Sequence, residues 1–319
     1  MAIEIGYVLI IGSSNMDLNI YSQRFPNPGE TVTGGTFKSF LGGKGANQAV
    51  ASVRAGTKTI FIGKIGNDLF GDQMVSRLKD EGVNMDYVIR DPKNPSGVAF
   101  ILIDKNGENM ISVAPGANSK LNTIDINNRK DIIKNAKIIV MQMEIPIDTI
   151  QKVFEIASEG NIVKILNPAP LKPIPISFFN NIDIIIPNEG ELYRLHSLLN
   201  FKKITSEGQQ KTEQAVKDIS SLGVNYIITT LGKKGCLMYS REKNEFFKIS
   251  SPRVKTVDTV GAGDCFIGVL ASMLSKEEDI LTAVKFATIA ASIAVTREGA
   301  QESMPFLHEI QEKYNKLKI

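Results

Sequence analysis

The feature that most constrains the fold is a regular alternation between short apolar runs and longer helix-like stretches. Several apolar runs are continuous stretches of Ile and Val, which is typical of strands buried on both faces of a parallel sheet. These runs lie at 7–11, 59–65, 137–142, 162–166, 182–186 and 226–230. The helix-like stretches between them lie at 46–55, 71–81, 147–158, 189–199 and 214–222. The alternation predicts an α/β fold, with a doubly wound, mainly parallel sheet flanked by helices.

Two regions interrupt this alternation with β-prone sequence and no helix between the strands. Residues 18–40 surround a turn at 26–29, with the sequence Pro-Asn-Pro-Gly. Residues 97–104 and 109–114 form a hairpin pattern around an Asn-Gly turn, which is a strong hairpin signal. Together they predict a small antiparallel sheet, a lid, built from segments at about 13–40 and 97–114 that are inserted into the α/β body. Because an exposed sheet tends to find a partner, we expect a homodimer through the lid.

Composition excludes several classes of protein. The 37 basic and 34 acidic residues leave a net charge of +3, which is too small to indicate a nucleic-acid partner. No apolar run approaches the length of a membrane span. The first five residues, MAIEI, carry an acid where a signal peptide needs a basic residue. The two cysteines cannot form a disulfide framework, so we expect a cytoplasmic protein without a membrane or nucleic-acid partner.

Histidine chemistry is excluded as well. The chain has two histidines, His196 and His308, and neither lies near a nucleophile motif. A histidine-rich zinc site cannot be built from two such residues. If the chain is an enzyme, its chemistry therefore depends on carboxylates, amides and lysines.

The strongest local motif is Val-Asp-Thr-Val-Gly-Ala-Gly-Asp at 257–264, followed directly by a helical run. The amides of Gly261, Ala262 and Gly263 at a helix start form a suitable site for phosphate. Asp264 has two explanations. It can complement the helix dipole as an ordinary first-turn acid. It can also be a base that deprotonates a hydroxyl substrate beside a bound phosphoryl group.

Two further clusters follow strands and carry polar side chains. The sequence Gly-Gly-Lys-Gly-Ala-Asn-Gln at 42–48 is a glycine-rich turn before a helix, but it is not a Walker A loop. Asn15 and Asp17 follow the first strand, where ligands collect in an open parallel sheet. These two side chains suit either the hydroxyl groups of a sugar or the capping of a turn.

The last two clusters are equally ambiguous when each is taken alone. Asn188 and Glu191 share one face of an opening helix, so they suit a helix cap or a Mg²⁺ ion held through water. The sequence 230–235 closes another strand with glycines and can be a simple hairpin turn. All five clusters follow strands, and we therefore expect them to meet at one edge of the sheet.

Taken in order, these motifs resemble the ribokinase-like sugar kinase family from Gly12 to Ser303. Both family signatures are present, Gly-Gly-Lys-Gly-Ala-Asn at 42–47 and Asp-Thr-Val-Gly-Ala-Gly-Asp at 258–264. Shorter matches support them at 28–31, 142–144, 167–170, 188–191 and 294–301. The resemblance implies that residues 1–319 form one kinase domain, which uses ATP to phosphorylate the primary (5-) hydroxyl of D-ribose.

The resemblance also implies a role for each matching residue. Asp264 would be the catalytic base, and Gly261, Ala262 and Gly263 would form the anion hole. The sugar would be bound by Asn15, Met16, Asp17, Gly43, Lys44, Gly45, Ala46, Asn47, Glu144 and Asp264. ATP would contact Asn188, Thr230, Leu231, Gly232, Lys233, Lys234, Gly235, Gly263, Asp264 and Thr288. Glu191 would support Mg²⁺ through water, and a K⁺ ion would be bound by Asp258, Val260, Ala294, Arg297, Gly299 and Ser303.

Two alternatives remain beside this interpretation, and a third is excluded. A deoxyribokinase, or another pentose or nucleoside kinase of the same fold, would use the same motifs. Asn15 favours ribose, because its amide can engage hydroxyls near the carbon at which deoxyribose lacks a hydroxyl group. A non-catalytic sugar or nucleotide sensor would have no need for the base Asp264. A dehydrogenase is excluded because no dinucleotide fingerprint follows the first strand.

Overall fold

A computed structural model describes residues 6–317 of the chain. Its strands are β1 (Tyr7–Ile11), β2 (Asn15–Tyr21), β3 (Thr36–Gly42), β4 (Thr59–Ile62), β5 (Lys64–Gly66), β6 (Ile89–Asp91), β7 (Gly97–Ile103), β8 (Asn109–Ala114), β9 (Ala136–Gln142), β10 (Val163–Asn167), β11 (Ile184–Ile185), β12 (Tyr226–Thr230), β13 (Cys236–Ser240) and β14 (Glu245–Ile249). Its α-helices are α1 (Lys44–Arg54), α2 (Leu69–Asp80), α3 (Thr123–Asn127), α4 (Lys130–Lys134), α5 (Ile147–Ala157), α6 (Glu189–Leu198), α7 (Gly208–Ser220), α8 (Ala262–Ser275), α9 (Ile280–Ala294) and α10 (Leu307–Leu317).

The main sheet has eight strands in the order β14-β13-β12-β11-β10-β9-β1-β4. The strands from β12 to β4 are parallel, and β13 and β14 add an antiparallel edge. Side chains of β1 alternate between two apolar cores, one on each face of the sheet. Val8 and Ile10 pack with α1, α8 and α9, whereas Leu9 and Ile11 pack on the side of α5, α6 and α7. The predicted doubly wound α/β fold is confirmed.

Several predicted boundaries differ from the structure. The run at 59–65 is divided at Gly63 into β4 and β5, and β5 pairs with β6 in a separate small sheet. The run at 182–186 contributes only the two-residue strand β11. Helix α7 begins at Gly208, six residues before the predicted start, because its first turns are polar and exposed and lack an apolar period.

The lid is a four-stranded sheet in the order β3-β2-β7-β8. Its outer pairs, β2 with β3 and β7 with β8, are antiparallel, as predicted. The middle pair, β2 with β7, is parallel and joins the two antiparallel pairs through their first strands. At its base, Met16 packs against Ile65 and Met74 of the body. Farther out the lid exposes large apolar side chains, among them Phe37 and Phe100.

Two predictions about the chain's surroundings concern a membrane span and a signal peptide. No helix within residues 6–317 is long and apolar enough to cross a membrane. The predicted absence of a signal peptide rests on residues 1–5, which lie outside the described residues.

Both cysteines are free and buried, and burial raises the pKa of the Cys236 thiol to about 11 and that of the Cys265 thiol to about 12. These thiols therefore pack as small apolar groups.

Candidate active site

The carboxylate of Asp264 lies at the centre of the site, in the first turn of α8, and is only 7% exposed. Two side-chain amides of α1 hold it. Asn47 Nδ2 donates to Asp264 Oδ2 at 3.0 Å, and Gln48 Nε2 donates to Oδ1 at 2.9 Å. The glycine-rich turn at 42–48 and the motif at 257–264 are therefore in direct contact, as the edge argument predicted.

The start of α8 depends on Gly261. This residue is the N-cap and has a φ of +73°, a left-handed conformation that favours glycine. A Cβ at this position would also lie 3.0 Å from Ala300 Cα, so the loop packs closely on the segment around residue 300. At the start of α8, Ala262 N donates to the Thr259 carbonyl at 3.3 Å, and Ala262 and Gly263 line a cavity. This arrangement suits a bound phosphate.

Acidic groups surround the expected sugar position. Lys44 N and the Ser13 hydroxyl both donate to Oε2 of Glu144, at 3.0 Å for Lys44. Asp17 lies close to Gly42, where a Cβ would be 2.1 Å from Asp17 Oδ2. Burial, followed by the negative charges of Glu144, Asp264 and Glu302, raises the pKa of Asp17 to about 7. Hydroxyl groups of a ligand that donate hydrogen bonds to Asp17 would stabilise its ionised form.

Lys44 provides the positive charge among these acids. The charge of Asp264 is the largest influence and raises the pKa of Lys44, and Glu144 and Glu191 act in the same direction. Burial opposes this shift. Lys44 and Glu191 also line one common cleft. The positive charge of Lys44 therefore lies near the carboxylates of Asp264, Glu144 and Glu191.

The amide of Asn15 has a fixed orientation. Asn118 Nδ2 donates to Asn15 Oδ1 at 2.8 Å, and the same Asn118 amide bonds both backbone groups of Ser14. Glycine at position 97 leaves space for the Asn15 side chain, because a Cβ there would lie 2.2 Å from Asn15 Oδ1. With its oxygen occupied, Asn15 presents its NH₂ group as a donor.

The remaining predicted sugar residues contribute mainly through the backbone. Met16 points into the apolar base of the lid, on the face of β2 opposite to Asn15 and Asp17, so only its backbone faces the sugar side. Gly43 is the N-cap of α1 with a φ of +88°. Gly45 and Ala46 pack on Ser13, where a Cβ at Gly45 would be 2.7 Å from Ser13 N.

Seven of the ten predicted nucleotide residues line one cavity of about 960 Å³, and Asp264 is not among them. Those it brings together are Asn188, Thr230, Gly232, Lys233, Gly235, Gly263 and Thr288. Leu231 and Lys234 belong to the same turn but do not line the cavity. The Thr288 hydroxyl already donates to the Val284 carbonyl at 2.8 Å. The turn at 230–235 joins β12 to the antiparallel β13, so the hairpin explanation is confirmed while the turn also lines the cavity.

Asn188 and Glu191 form a complete capping box at the start of α6. Glu191 N donates to Asn188 Oδ1, and Asn188 N donates to Glu191 Oε2, both at 2.8 Å. The helix-cap explanation is therefore confirmed. The second carboxylate oxygen of Glu191 is not used by the cap, so a role for Glu191 toward Mg²⁺ stays a prediction.

The residues predicted to bind K⁺ come from two loops in contact. Val257 N donates to the Val295 carbonyl at 2.8 Å, and Gly299 N donates to Asp258 Oδ2 at 3.1 Å. Within residues 6–317 no cluster of three or more Asp, Glu, His or Cys side chains suits a metal. One carboxylate with backbone carbonyls is a donor set of oxygen atoms and low charge, which fits a monovalent cation better than a transition metal.

The structure also brings into the candidate site residues to which the sequence analysis gave no role. Three of them donate a side-chain hydrogen bond to a residue of the site: Gln142 to Gln48, Gln301 to Asn47, and Asn118 to Asn15. Residues 251–254 form part of the nucleotide cavity. Gln142 ends strand β9, so its position at the carboxyl edge of the sheet was an available signal. Gln301 ends the family match at 294–301, whereas nothing in the local sequence marks Asn118 or residues 251–254.

Comparisons relate the chain to known proteins. Residues 6–307 match the model of the pfkB family carbohydrate kinases. A ribokinase of Staphylococcus aureus (strain COL) is 39% identical over 307 residues, which covers 96% of this chain and 98% of that protein. A deoxyribokinase of Salmonella typhi is 35% identical over 306 residues, with 96% and 97% covered. The structure of Arabidopsis thaliana ribokinase complexed with ribose and ATP has a TM-score of 0.90 and 31% identity, and the match covers 97% of this chain and 98% of that one.

Proposed function

Because the chain belongs to the pfkB family of carbohydrate kinases, we propose that it transfers the γ-phosphoryl group of ATP to the 5-hydroxyl of D-ribose. One observation carries the proposal. Buried Asp264 lies between the nucleotide cavity, which its neighbour Gly263 lines, and the charged cluster of Lys44, Glu144 and Asp17. A substrate hydroxyl held in that cluster can reach both the carboxylate and a phosphate at the start of α8.

The chemical step uses groups of the chain at each end. The proton of the 5-hydroxyl passes to Asp264, and the hydroxyl oxygen forms a bond to the γ-phosphorus. The bond from that phosphorus to the β–γ bridging oxygen breaks, and its electron pair leaves with ADP. The amides of Gly261, Ala262 and Gly263 stabilise the charge on the transferring group. Lys44 adds a positive charge beside the same group.

We propose that two cations assist. Glu191 would hold Mg²⁺ through water, and a bound Mg²⁺ supplies positive charge to the phosphates of ATP. The loops that carry Asp258 and Gly299 would hold K⁺, which supplies charge without touching the sugar. The chain's own part is to keep the Gly261 loop in register, since that loop packs directly on Ala300.

The sugar is tested with an ADP-release assay at saturating ATP. Purified protein is screened against pentoses, deoxypentoses, hexoses and nucleosides, and we expect the highest kcat/KM for D-ribose. The deoxyribokinase relative makes 2-deoxyribose the second candidate, and a higher kcat/KM for that sugar would replace ribose. Binding of sugar and ATP without ADP release would instead favour a sensor.

We further propose that residues 1–319 act as one domain in the cytoplasm and that two copies associate through the lid. Free, buried cysteines fit a reducing compartment. The lid carries five apolar side chains that are each more than half exposed, Phe37, Phe100, Met110, Ile111 and Val113. Light scattering after chromatography is expected to give a dimer, and Ile111→Lys is expected to give a monomer. A monomeric wild-type protein would contradict the association.

A further inference from the structure

A chain of buried side-chain amides surrounds the carboxylate of Asp264. On one side Gln142 Nε2 donates to Gln48 Oε1 at 2.6 Å, and Gln48 Nε2 donates to Asp264 Oδ1 at 2.9 Å. On the other side Gln301 Nε2 donates to Asn47 Oδ1 at 3.2 Å, and Asn47 Nδ2 donates to Asp264 Oδ2 at 3.0 Å. We call these four residues, Gln142, Gln48, Asn47 and Gln301, the amide relay.

The ionised carboxylate fixes the direction of every hydrogen bond in the amide relay. A carboxylate can only accept, so Gln48 and Asn47 must each turn an NH₂ group toward Asp264. Their amide oxygens then point away, and each must meet a donor, which Gln142 and Gln301 supply. All four amide dipoles are therefore aligned to favour a negative charge on Asp264.

The burial of the amide relay indicates that it does not serve stability alone. Gln48 and Gln142 are fully buried and Gln301 is 1% exposed. The amide oxygens of Gln142 and Gln301 have no hydrogen-bond partner, which costs free energy in a buried position. The backbone also accommodates Gln142, because a Cβ at Gly12 would lie 2.0 Å from Gln142 Oε1. Apolar side chains of similar size would avoid the unsatisfied oxygens.

Resting on the proposed function, we propose that Gln48 and Gln142 are positioning residues, which hold the carboxylate of Asp264 aimed at the substrate hydroxyl. Neither residue has to touch sugar or ATP in this role. Each carboxylate oxygen of Asp264 accepts from its own amide, Oδ1 from Gln48 and Oδ2 from Asn47, so the two hydrogen bonds together fix the rotation of the carboxylate. Gln142 in turn fixes the orientation of the Gln48 amide.

Other charged groups face Asp264 and must be kept constant in a test. Lys44 from α1, Asp17 from β2 and the adjacent Cys265 all interact with its charge, and Glu144 lies beside Lys44. Gln48 and Gln142 are uncharged, so replacing them with Met removes hydrogen bonds at nearly constant volume and unchanged net charge. Any change in kcat then reports on the amide relay.

The test is steady-state kinetics of folded Gln48→Met and Gln142→Met with sugar and ATP. In Gln48→Met we expect kcat to fall at least tenfold while both KM values stay within about threefold. Gln142→Met should give a smaller fall in kcat, because Gln48 keeps its donor and loses only its orientation. An unchanged kcat in folded Gln48→Met would overturn the proposal.

The split between kcat and KM separates positioning from a general structural effect, because neither Gln48 nor Gln142 is proposed to touch sugar or ATP. The control is Gln210→Met, an exposed glutamine of α7, which should keep the kcat of wild type. Rises in both KM values as large as the fall in kcat would contradict the proposal, whereas inactivity of wild type on sugars would contradict only the proposed function.

Discussion

Asp17 offers a quantitative test of the electrostatics of the site through the change Asp17→Asn. Its pKa rises from 3.8 to about 7, mainly because of burial and then because of Glu144, Asp264 and Glu302. The rise of about 3 units corresponds to about 4 kcal/mol at 1.36 kcal/mol per unit. Because the folded state binds the proton more tightly than the unfolded state, this contribution is fully present below pH 3.8 and is lost as pH rises toward 7. The side-chain amide of the variant has no such proton to lose, so the variant keeps its stability.

The assay is reversible urea unfolding of wild type and Asp17→Asn between pH 5 and pH 8. The free energy of unfolding of Asp17→Asn minus that of wild type should increase by about 2–3 kcal/mol from pH 5 to pH 8. The difference should level off above pH 7, where Asp17 of wild type is ionised in both the folded and the unfolded state. Asp86→Asn, at an exposed aspartate, is the matched control. A difference between wild type and Asp17→Asn that does not change with pH would refute the reasoning.

Three further changes test other parts of the site. Asp264→Asn should lower kcat by about 10²–10⁴-fold while calorimetry still detects binding of ribose and ATP, and near-normal turnover would remove the base. Asn118→Asp should turn the Asn15 amide around, because a carboxylate cannot donate to Asn15 Oδ1. The ratio of kcat/KM for ribose to kcat/KM for deoxyribose should then fall by about tenfold. An unchanged ratio would contradict this orientation of Asn15. Replacement of K⁺ by tetramethylammonium should lower the activity of wild type and have little effect on Asp258→Asn, whereas equal activity of wild type in both salts would argue against the cation site.

The sequence was sufficient for the centre of the sheet because the strands there, such as β1 and β4, are fully buried. Continuous apolar runs such as Tyr7–Ile11 have few alternatives in a polar chain, and the helices between them dictate parallel pairing. The errors have separate causes. β11 is buried but hydrogen-bonds over only two residues, and the exposed start of α7 shows no apolar period.

The lid shows a second limit of sequence reasoning. Each of its antiparallel pairs has local signals, such as the Asn-Gly turn at 106–107. The parallel contact of β2 with β7 joins residues about 80 positions apart and has no local signal. The contact matters for the site, because it places Gly97 beside Asn15 and so leaves space for the Asn118 amide.

The amide relay shows why the site could be located from the sequence but not assembled. The rule that ligands collect at the carboxyl ends of strands correctly placed the motifs at one edge. The contacts that make the site reactive, however, follow from strand order. β1 pairs with β9, and this pairing brings Ser13 to Glu144 and places Gln142 under Gln48. A glutamine at the end of a buried strand is uninformative until the neighbouring strand is known, and only then does its unsatisfied oxygen indicate that it serves the adjacent carboxylate.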